Sequence, residues 1–225
     1  LPRTPDLIAA RMDGRPTGQA AILPSPMIQN HAAFLTRGPD GLDCVWFGGS
    51  LEGKSDICIW HSRLGPEGWS PAAQLTDDPD RSEQNPILFH APDGRVLLFH
   101  TAQPGGRQEE CVVRHRPLER GPDGIRSGVP RTLSLPKGAF VRAQATLRDD
   151  GAWLLPIFRC VPQPGRKWNG SHDIAAMGVS EDGGASWRLE EVAGSLGCVH
   201  FGPVPAQDGV IPAFFRRRQA DRVFR

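Results

Sequence analysis

Polar side chains interrupt several segments of the sequence that otherwise resemble short apolar strands. They carry amide, imidazole, carboxyl and guanidinium groups, and they are Gln29, Asn30, His31, Glu83, Gln84, Asn85, Arg142 and His200. Groups of these types are too polar for strands packed in a core, so we expect them to line a wet channel and to bind the hydroxyl groups of a sugar. A hydrated channel without a ligand would explain the same residues.

Arginine side chains add a second kind of chemistry. Arg142 and the run at residues 216–218 can supply guanidinium groups, which bind a carboxylate through two parallel hydrogen bonds. Successive residues of a strand point to opposite faces, so at least one arginine of the run is expected to face solvent. We therefore predict that Arg142, Arg216 and Arg218 contribute to a carboxylate-binding site.

Two residues are candidates for catalytic proton transfer. Glu52 lies in the glycine-rich segment at residues 48–56, and a carboxylic acid whose pKa is raised by partial burial can protonate a leaving glycosidic oxygen. A solvated Glu52 paired with Lys54 is the alternative. His31 is a candidate general acid or base, and a purely structural histidine explains it equally well.

An acid-glycine turn followed by an apolar strand recurs roughly every 55 residues. The turns are Asp40-Gly41, Asp93-Gly94, Asp150-Gly151 and Asp208-Gly209. A strand-like run precedes each turn, so each turn predicts a hairpin. A polar loop follows each hairpin and ends in an acid that opens a third strand; these acids are Asp56, Glu110, Asp173 and Asp221. Because such an acid recurs in every copy, we expect it to bond the backbone of its own loop.

The repeated unit is a meander whose two apolar faces cannot stand alone. Copies must stack face to face, and stacking around an axis gives a β-propeller. We predict one all-β domain over residues 1–225, with blades at roughly 25–77, 78–135 and 136–193 and a partial blade at 194–225. Because the fourth copy ends in its third strand, we expect further C-terminal blades, and we expect this chain to self-associate through an open blade face.

Composition agrees with this organisation. The chain carries 26 basic and 25 acidic residues, so its overall field gives no reason to expect nucleic acid or a membrane surface as partner. Its 26 glycines and 22 prolines are spread along the sequence, which is typical of short strands joined by turns. No apolar run approaches the roughly 20 residues needed to cross a bilayer. A glycan or small carbohydrate is the partner that we expect.

The cysteines give an indication of the cellular compartment of the protein. They are five in number, and several lie in apolar runs, which favours buried free thiols over a disulfide framework. Residues 1–6 show no signal-peptide pattern. Reduced cysteines favour the cytoplasm.

The segment Ser180-Glu181-Asp182-Gly183-Gly184-Ala185-Ser186-Trp187 contains the pattern Ser-x-Asp-x-Gly-x-x-Trp. This pattern resembles the Asp-box, a turn between the third and fourth strands of blades in sialidases and other propellers with bacterial neuraminidase repeats. Degenerate versions stand at residues 65–70 and 121–125. The wider runs at residues 28–33, 45–50, 81–86 and 156–160 are similar to the bacterial exo-sialidase-like branch of that family.

The resemblance implies a six-bladed sialidase-like propeller that acts on glycans. In sialidases the loop that here contains Glu52 holds the acid/base Asp. Their first blade also carries an arginine of the triad that holds the carboxylate of sialic acid, where this chain has Gln29-Asn30-His31-Ala32. Their nucleophile is a tyrosine, and this chain contains no tyrosine.

Three functions follow as expectations. The first is a sialidase-like exo-glycosidase that acts on terminal, acidic sugars with Glu52 as acid/base. The second is a uronate-directed lyase or hydrolase that uses His31, favoured by the missing first-blade arginine. The third is a non-catalytic propeller that binds carbohydrate or protein, because fold alone does not fix function. We expect no metal and no cofactor, since no clustered His or Cys spacing and no phosphate-binding glycine motif are present.

Overall fold

The computed structural model describes residues 8–12, 15–20, 23, 25–38, 41–121, 124–204, 210–218, 220 and 223–224. Predictions that concern Asp40, Asp123, Asp208, Gly209 and Asp221 lie outside these ranges. The described residues form antiparallel β-sheets, with a single 3-10 turn at Gln108–Glu110. The predicted all-β propeller fold is confirmed.

The described part of the chain begins with a hairpin of β1 (Ile8–Met12) and β2 (Arg15–Ala20). Blade 1 follows as one antiparallel sheet. Its strands are β3 (Gln29–Gly38), β4 (Gly41–Gly49), β5 (Cys58–Gly65), β6 (Gly68–Trp69) and β7 (Ala73–Gln74). The first four pair in chain order, and β7 pairs with β5.

Blades 2 and 3 repeat this arrangement. The strands of blade 2 are β8 (Arg81–His90), β9 (Val96–Pro104), β10 (Val112–Gly121), β11 (Gly124–Ser127) and β12 (Arg131–Thr132). The strands of blade 3 are β13 (Ala139–Val141), β14 (Thr146–Leu147), β15 (Trp153–Arg159), β16 (Ile174–Ser180) and β17 (Arg188–Glu191). Blade 4 is described as three strands, β18 (Cys198–Pro203), β19 (Ala213–Arg217) and β20 (Val223–Phe224).

Asp-Gly turns join the first and second strands of blades 2 and 3 by the same hydrogen bonds. The carboxylate of Asp93 accepts the backbone N–H of Arg95 at 3.0 Å, and that of Asp150 accepts the N–H of Ala152 at 3.1 Å. The acid of each turn therefore closes the hairpin that the repeat predicts, as expected for side chains that mimic a backbone turn.

Hydrophobic cores lie between adjacent blades. Val45, Phe47 and Ile59 of blade 1 pack with Leu88 and Leu98 of blade 2. All five cysteines are free and buried, as predicted. Since each sheet buries both faces only when its neighbours are in place, the position of every inner strand is set by the blades beside it.

The Asp-box of blade 3 forms the turn predicted from the sequence. Ser180 donates to Asp182 at 2.8 Å, and Asp182 accepts the backbone N–H of Ser186 at 2.9 Å. The Trp187 ring is buried edge-on to Phe99 of blade 2, with ring centroids 5.8 Å apart. The turn thus holds Trp187 in a position where its ring packs in the interface between blades 2 and 3.

Candidate active site at the channel mouth

One end of the described propeller collects the polar residues singled out in the sequence. In each blade the inner strand begins at this end, and the loop from the second to the third strand lies there as well, because neighbouring strands are antiparallel. These loops span residues 50–57, 105–111 and 160–173, and residue 218 follows β19. We call this end the channel mouth.

Each inner strand breaks its pairing at an equivalent place. The register shifts between His31 and Phe34, between Gln84 and Ile87, and between Val199 and Gly202. Blade 3 has a wider interruption, because β13 and β14 both pair with β15 and leave residues 142–145 between them.

These interruptions carry unusual backbone angles. The φ angle is 53° at Ala32, 52° at Asn85 and 53° at His200. A positive φ is uncommon for a residue other than glycine, and bulges of this kind re-aim side chains. The side chains at these bulges therefore point in other directions than they would in a regular strand.

Arg142, Arg216 and His200 come together from blades 3 and 4. Arg142 directly follows Val141, the last paired residue of β13, and Arg216 pairs in register with Val199, the neighbour of His200. The His200 ring lies 5.3 Å from that of Phe158 in blade 3. Within the described residues, the guanidinium groups of Arg142 and Arg216 have no hydrogen bond and no ion pair.

The pKa of His200 is affected by these positive charges. Partial burial, together with the positive charges of Arg216, Arg142 and Arg218, lowers the pKa of His200 to about 4. The imidazole is therefore neutral at pH 7 and can accept or donate a hydrogen bond without adding a charge. Among the residues that the structure describes, the cluster has two guanidinium groups without an anionic partner beside a neutral imidazole, an arrangement suited to a carboxylate.

Glu52 is exposed on the loop at residues 50–57, and its backbone is fixed. The side-chain oxygen of Gln29 accepts the backbone N–H of Glu52 at 2.9 Å. Asp56 accepts the N–H of Ser50 at 3.0 Å and closes the same loop. Within the described residues no ion pair joins Glu52 to Lys54, and the Glu52 side chain is exposed as a solvated glutamate would be.

Asn30 and His31 follow Gln29 on β3. The side-chain oxygen of Asn30 accepts the indole N–H of Trp46 at 3.0 Å, and its amide donates to the carbonyl of Met27 at 3.0 Å. These bonds place Asn30 against the segment that leads into blade 1. His31 is exposed, and its ring stacks on Phe47 with centroids 5.3 Å apart.

Glu83 lies on the inner strand of blade 2, but its side chain is fully buried between blades 1 and 2. Its carboxylate lies 3.2 Å from Arg116, 3.8 Å from Arg114 and 3.7 Å from His100. Burial raises the pKa of Glu83, and the two arginines oppose this. The structure therefore places Glu83 in an ionic cluster inside the blade interface and away from the channel.

Gln84 and Asn85 stabilise the bulge of the same strand. The buried Gln84 amide donates to Ser82 at 3.0 Å, and Asn85 donates to the hydroxyl of Thr101 at 3.3 Å. That hydroxyl donates to the backbone carbonyl of Gln84 at 2.9 Å. Asn85 is half-buried and remains the more accessible of the two.

Arg218 is committed to partners within the protein. It donates to the buried Asp173 at 2.8 Å and to Gln108 of blade 2 at 3.3 Å. Its guanidinium lies 5.0 Å from the ring of Trp168. Arg218 therefore ties the loop at residues 160–173 to blade 2.

The acids that open the third strands behave in two ways. Asp56 and Asp173 each accept a backbone N–H of their own loop, the latter from Val161 at 3.2 Å, as predicted. Glu110 instead pairs with Lys137, the residue ahead of blade 3, at 2.7 Å. The sequence missed this link, and it missed Gln108 as a partner of Arg218, because no local pattern joins residues so far apart.

Two further properties concern the described residues alone. Among them, no group of three or more His, Cys, Asp or Glu side chains is arranged to hold a metal ion. Among them also, no helix has the length and apolar character that crossing a membrane requires.

The fold is shared with solved glycosidases at low sequence identity. A Hadza microbial sialidase aligns over 93% of this chain and 48% of its own, with 12% identity and a TM-score of 0.69. A Trypanosoma rangeli sialidase in complex with sialic acid aligns over 96% of this chain and 38% of its own, with 9% identity and a TM-score of 0.64. This chain thus spans about half, or less, of these sialidases.

An endo-arabinase from Bacteroides thetaiotaomicron aligns over 93% of this chain and 78% of its own, with 14% identity and a TM-score of 0.59. No curated protein matches the sequence. The family model described as a BNR repeat-like domain matches residues 40–225. The chain belongs to the family of BNR repeat-like domains.

Proposed function

We propose that this protein is a sialidase-like exo-glycosidase that acts on terminal acidic sugars of glycans. One observation carries the proposal: Arg142 and Arg216 lie beside His200 on adjacent blades, with no anionic partner for either guanidinium among the described residues. Uncompensated guanidinium groups at the mouth of a propeller channel favour a ligand that brings its own negative charge.

The acidic sugar binds through its carboxylate. Arg142 approaches from blade 3 and Arg216 from blade 4, so the carboxylate is held between two blades. His200 is neutral at pH 7, since its pKa is about 4, and its ring nitrogens hydrogen-bond a hydroxyl or carboxylate oxygen of the sugar. Asn85 contributes an amide from the equivalent bulge of blade 2.

Glu52 serves as the acid. Its carboxyl donates a proton to the glycosidic oxygen while the bond between the anomeric carbon and that oxygen breaks, and the bonding electrons stay with the oxygen, which leaves as an alcohol. Water supplies the new oxygen on the anomeric carbon, and its released proton restores the carboxyl of Glu52. The hydrogen bond from the backbone of Glu52 to Gln29 holds the loop from which the carboxyl projects. Sialidases and an endo-arabinase share the fold, which supports a glycan as the substrate class.

A second candidate function is a uronate-directed lyase or hydrolase in which His31 transfers the proton. The observation that favours it is the accessibility of the His31 ring, which is exposed and oriented by stacking on Phe47. In this case the same two arginines would hold the carboxylate of a uronate.

The test compares substrates and an arginine variant. The purified protein is assayed on sialosides, rhamnosyl-glucuronides, acidic polysaccharides and neutral arabinan. Arg142→Met keeps the aliphatic volume and removes the charge, so we expect kcat/KM on the acidic substrate to fall by about 10- to 100-fold, the effect of a lost charge-assisted hydrogen bond. Arg37→Met, at the far end of β3, is the control and should change kcat/KM by less than twofold.

Release of a saturated acidic sugar that is lost in Glu52→Gln supports the first candidate. An unsaturated uronate, or a saturated uronate whose release is lost in His31→Gln but kept in Glu52→Gln, supports the second candidate. Cleavage of neutral arabinan alone would reject an acidic substrate. Binding of acidic sugars without turnover would identify a carbohydrate-binding propeller.

A further inference from the structure

The loop of blade 2 at residues 105–110 contacts the channel-mouth segments of the three other blades. Gly106 lies against Gly53 of blade 1, so that a Cβ atom on Gly53 would be 3.6 Å from the Cα of Gly106. Glu110 pairs with Lys137 ahead of blade 3, and Gln108 accepts a hydrogen bond from Arg218 of blade 4. Each of these contacts uses a different residue of the loop.

The loop is internally braced. Arg107 donates its backbone N–H to Pro104 at 3.0 Å, Glu110 to Arg107 at 3.1 Å, and Cys111 to Gln108 at 3.1 Å. Cys111 itself is fully buried. A short segment with consecutive backbone hydrogen bonds and a buried anchor moves as a unit, so a displacement at one contact is passed to the others.

Where the loop approaches blade 1, the neighbouring residues on both sides are glycines. Gly53 has a φ of 91° and Gly106 has a φ of 73°, and neither carries a side chain that could adjust. Gln103 approaches Gly53 as well, with its amide nitrogen 4.0 Å from the position of a Cβ there. Gly53 directly follows Glu52, whose other side is held by Gln29.

We propose that residues 106–110, the part of this loop that makes the three contacts, are the positioning element for Glu52. They set the distance of the acid in blade 1 from the carboxylate-binding arginines of blades 3 and 4. This inference rests on the proposed role of Glu52. The loop does not touch the reacting atoms in this assignment; it acts through Gly53 on one side and through Lys137 and Arg218 on the other.

Two neighbouring glycines of the loop provide a matched pair of variants. Gly105 and Gly106 both have a positive φ, 54° and 73°, and asparagine tolerates this region better than other side chains. A Cβ on Gly105 would meet nothing within 4 Å, whereas a Cβ on Gly106 would lie 4.0 Å from the carbonyl oxygen of Gly53. The added side chain therefore starts beside the Glu52 loop only in Gly106→Asn.

We expect Gly106→Asn to lower kcat on the natural glycan by at least tenfold while KM changes by less than threefold, because a misplaced acid slows the chemical step more than binding. The loss should be smaller on a substrate with an activated aryl leaving group, which needs little protonation. Gly105→Asn should leave both constants within twofold of the parent. Equal losses in the two variants, or a loss confined to KM, would overturn the proposal.

Hydrogen exchange gives a readout that does not depend on turnover. The amides of residues 50–56 should exchange at least tenfold faster in Gly106→Asn and at the parental rate in Gly105→Asn. If the parent cleaves no glycan, the proposed function fails while this measurement still decides whether the loop holds the Glu52 segment. Unchanged exchange in Gly106→Asn would reject the positioning role.

Discussion

At Glu52 the backbone and the side chain have different environments. The backbone N–H is held by Gln29, and the following residue packs against Gly106, while the carboxyl is exposed. A fixed main chain with an accessible carboxyl suits a group that must reach a ligand and then exchange its proton with solvent. The titrating proton of Glu52 is the property to be tested.

Glu52→Gln keeps the shape and the hydrogen-bonding capacity of the side chain and removes that proton. We expect turnover on the natural glycan to fall by about 10²- to 10⁴-fold, the usual contribution of a positioned acid. Cleavage of an activated aryl glycoside should fall far less. Steady-state kinetics on both substrates check the prediction.

Glu67→Gln is the control for that experiment. Glu67 is also an exposed glutamate of blade 1, but it lies in the turn between β5 and β6, at the opposite end of the blade. Its variant should have parental activity on both substrates. If Glu52→Gln is equally active on the natural glycan, Glu52 has no part in the chemistry and His31 becomes the candidate.

At the scale of the element, the Asp-box of blade 3 depends on two glycines with different surroundings. Gly183 and Gly184 have φ angles of 69° and 87°. A Cβ on Gly184 would lie 2.6 Å from the Trp153 ring, whereas the nearest atom to a Cβ on Gly183 is the flexible end of Arg95 at 3.5 Å. The turn therefore tolerates a side chain at one position only.

Alanine at either glycine forces an L-residue into the left-handed region, which costs about 1 to 2 kcal/mol. Gly184→Ala also displaces the buried Trp153, which adds about 1 to 3 kcal/mol of overpacking. We expect the free energy of unfolding to fall clearly further in Gly184→Ala than in Gly183→Ala. Urea denaturation of both variants measures the difference. Equal decreases in the free energy of unfolding would mean that Trp153 moves aside without destabilising the protein.

Elements of this kind are predictable because their signals are local. The Asp93-Gly94 and Asp150-Gly151 turns and the Asp-box each lie within a few residues, and their hydrogen bonds follow from the residue types. The burial of Glu83 is different. Alternation along a strand separates two faces but does not say which one meets a neighbouring blade, so a polar side chain there resembled a channel residue.

The bulges of the inner strands also could not be predicted from local sequence patterns. The sequence shows Arg142 and His200 as polar residues within apolar runs. It does not show that they lie near Arg216, because this depends on interruptions of strand pairing that no residue pattern predicts. The pairing of Arg218 with Asp173 joins residues 45 positions apart. Only the stacking of blades 3 and 4 brings these groups together.

At the scale of the whole molecule, charged groups are enclosed where blade 1 meets blade 2. Asp43 is 1% exposed and is bound by His61 and Arg63 of its own blade and by Arg120 of blade 2, at 2.8, 3.0 and 2.9 Å. The fully buried His100 lies deeper in the same interface, beside Glu83. Stability of the interface must therefore depend on pH.

The directions of the pKa shifts fix the sign of that dependence. Burial raises the pKa of Asp43, but the hydrogen bonds from His61 and Arg63 outweigh it and hold the pKa below its usual value. Stability from Asp43 is thus present above its unfolded pKa and is lost as pH falls through the folded one. Burial lowers the pKa of His100 to about 3, so protonation of the unfolded state below about pH 6.5 acts in the same direction.

Glu83 acts in the opposite direction. Burial raises its pKa, so its contribution is fully present below the unfolded pKa and declines as pH rises through the folded value. The lowered pKa of His100 makes stability rise between about pH 3 and pH 6.5. The lowered pKa of Asp43 adds to this rise only below the unfolded aspartate pKa of about 3.9, whereas the raised pKa of Glu83 opposes it above the unfolded glutamate pKa of about 4.3. We therefore expect the parent protein to gain stability across that interval.

Asp43→Asn tests the largest of these interactions. At pH 7 it removes the buried carboxylate that joins His61, Arg63 and Arg120, so we expect it to lower the free energy of unfolding by about 3 to 5 kcal/mol, as for a broken buried ion pair. At pH 3, which is below the unfolded aspartate pKa of about 3.9, the unfolded parent is protonated at Asp43, so the difference between the two proteins should shrink. Asp149→Asn, at an exposed turn of blade 3, should stay within about 0.5 kcal/mol of the parent throughout. Urea denaturation at pH 3, 5 and 7 measures all three proteins. A constant difference between Asp43→Asn and the parent at every pH would show that Asp43 stabilises the interface through packing and neutral hydrogen bonds, and that its charge is not what joins blade 1 to blade 2.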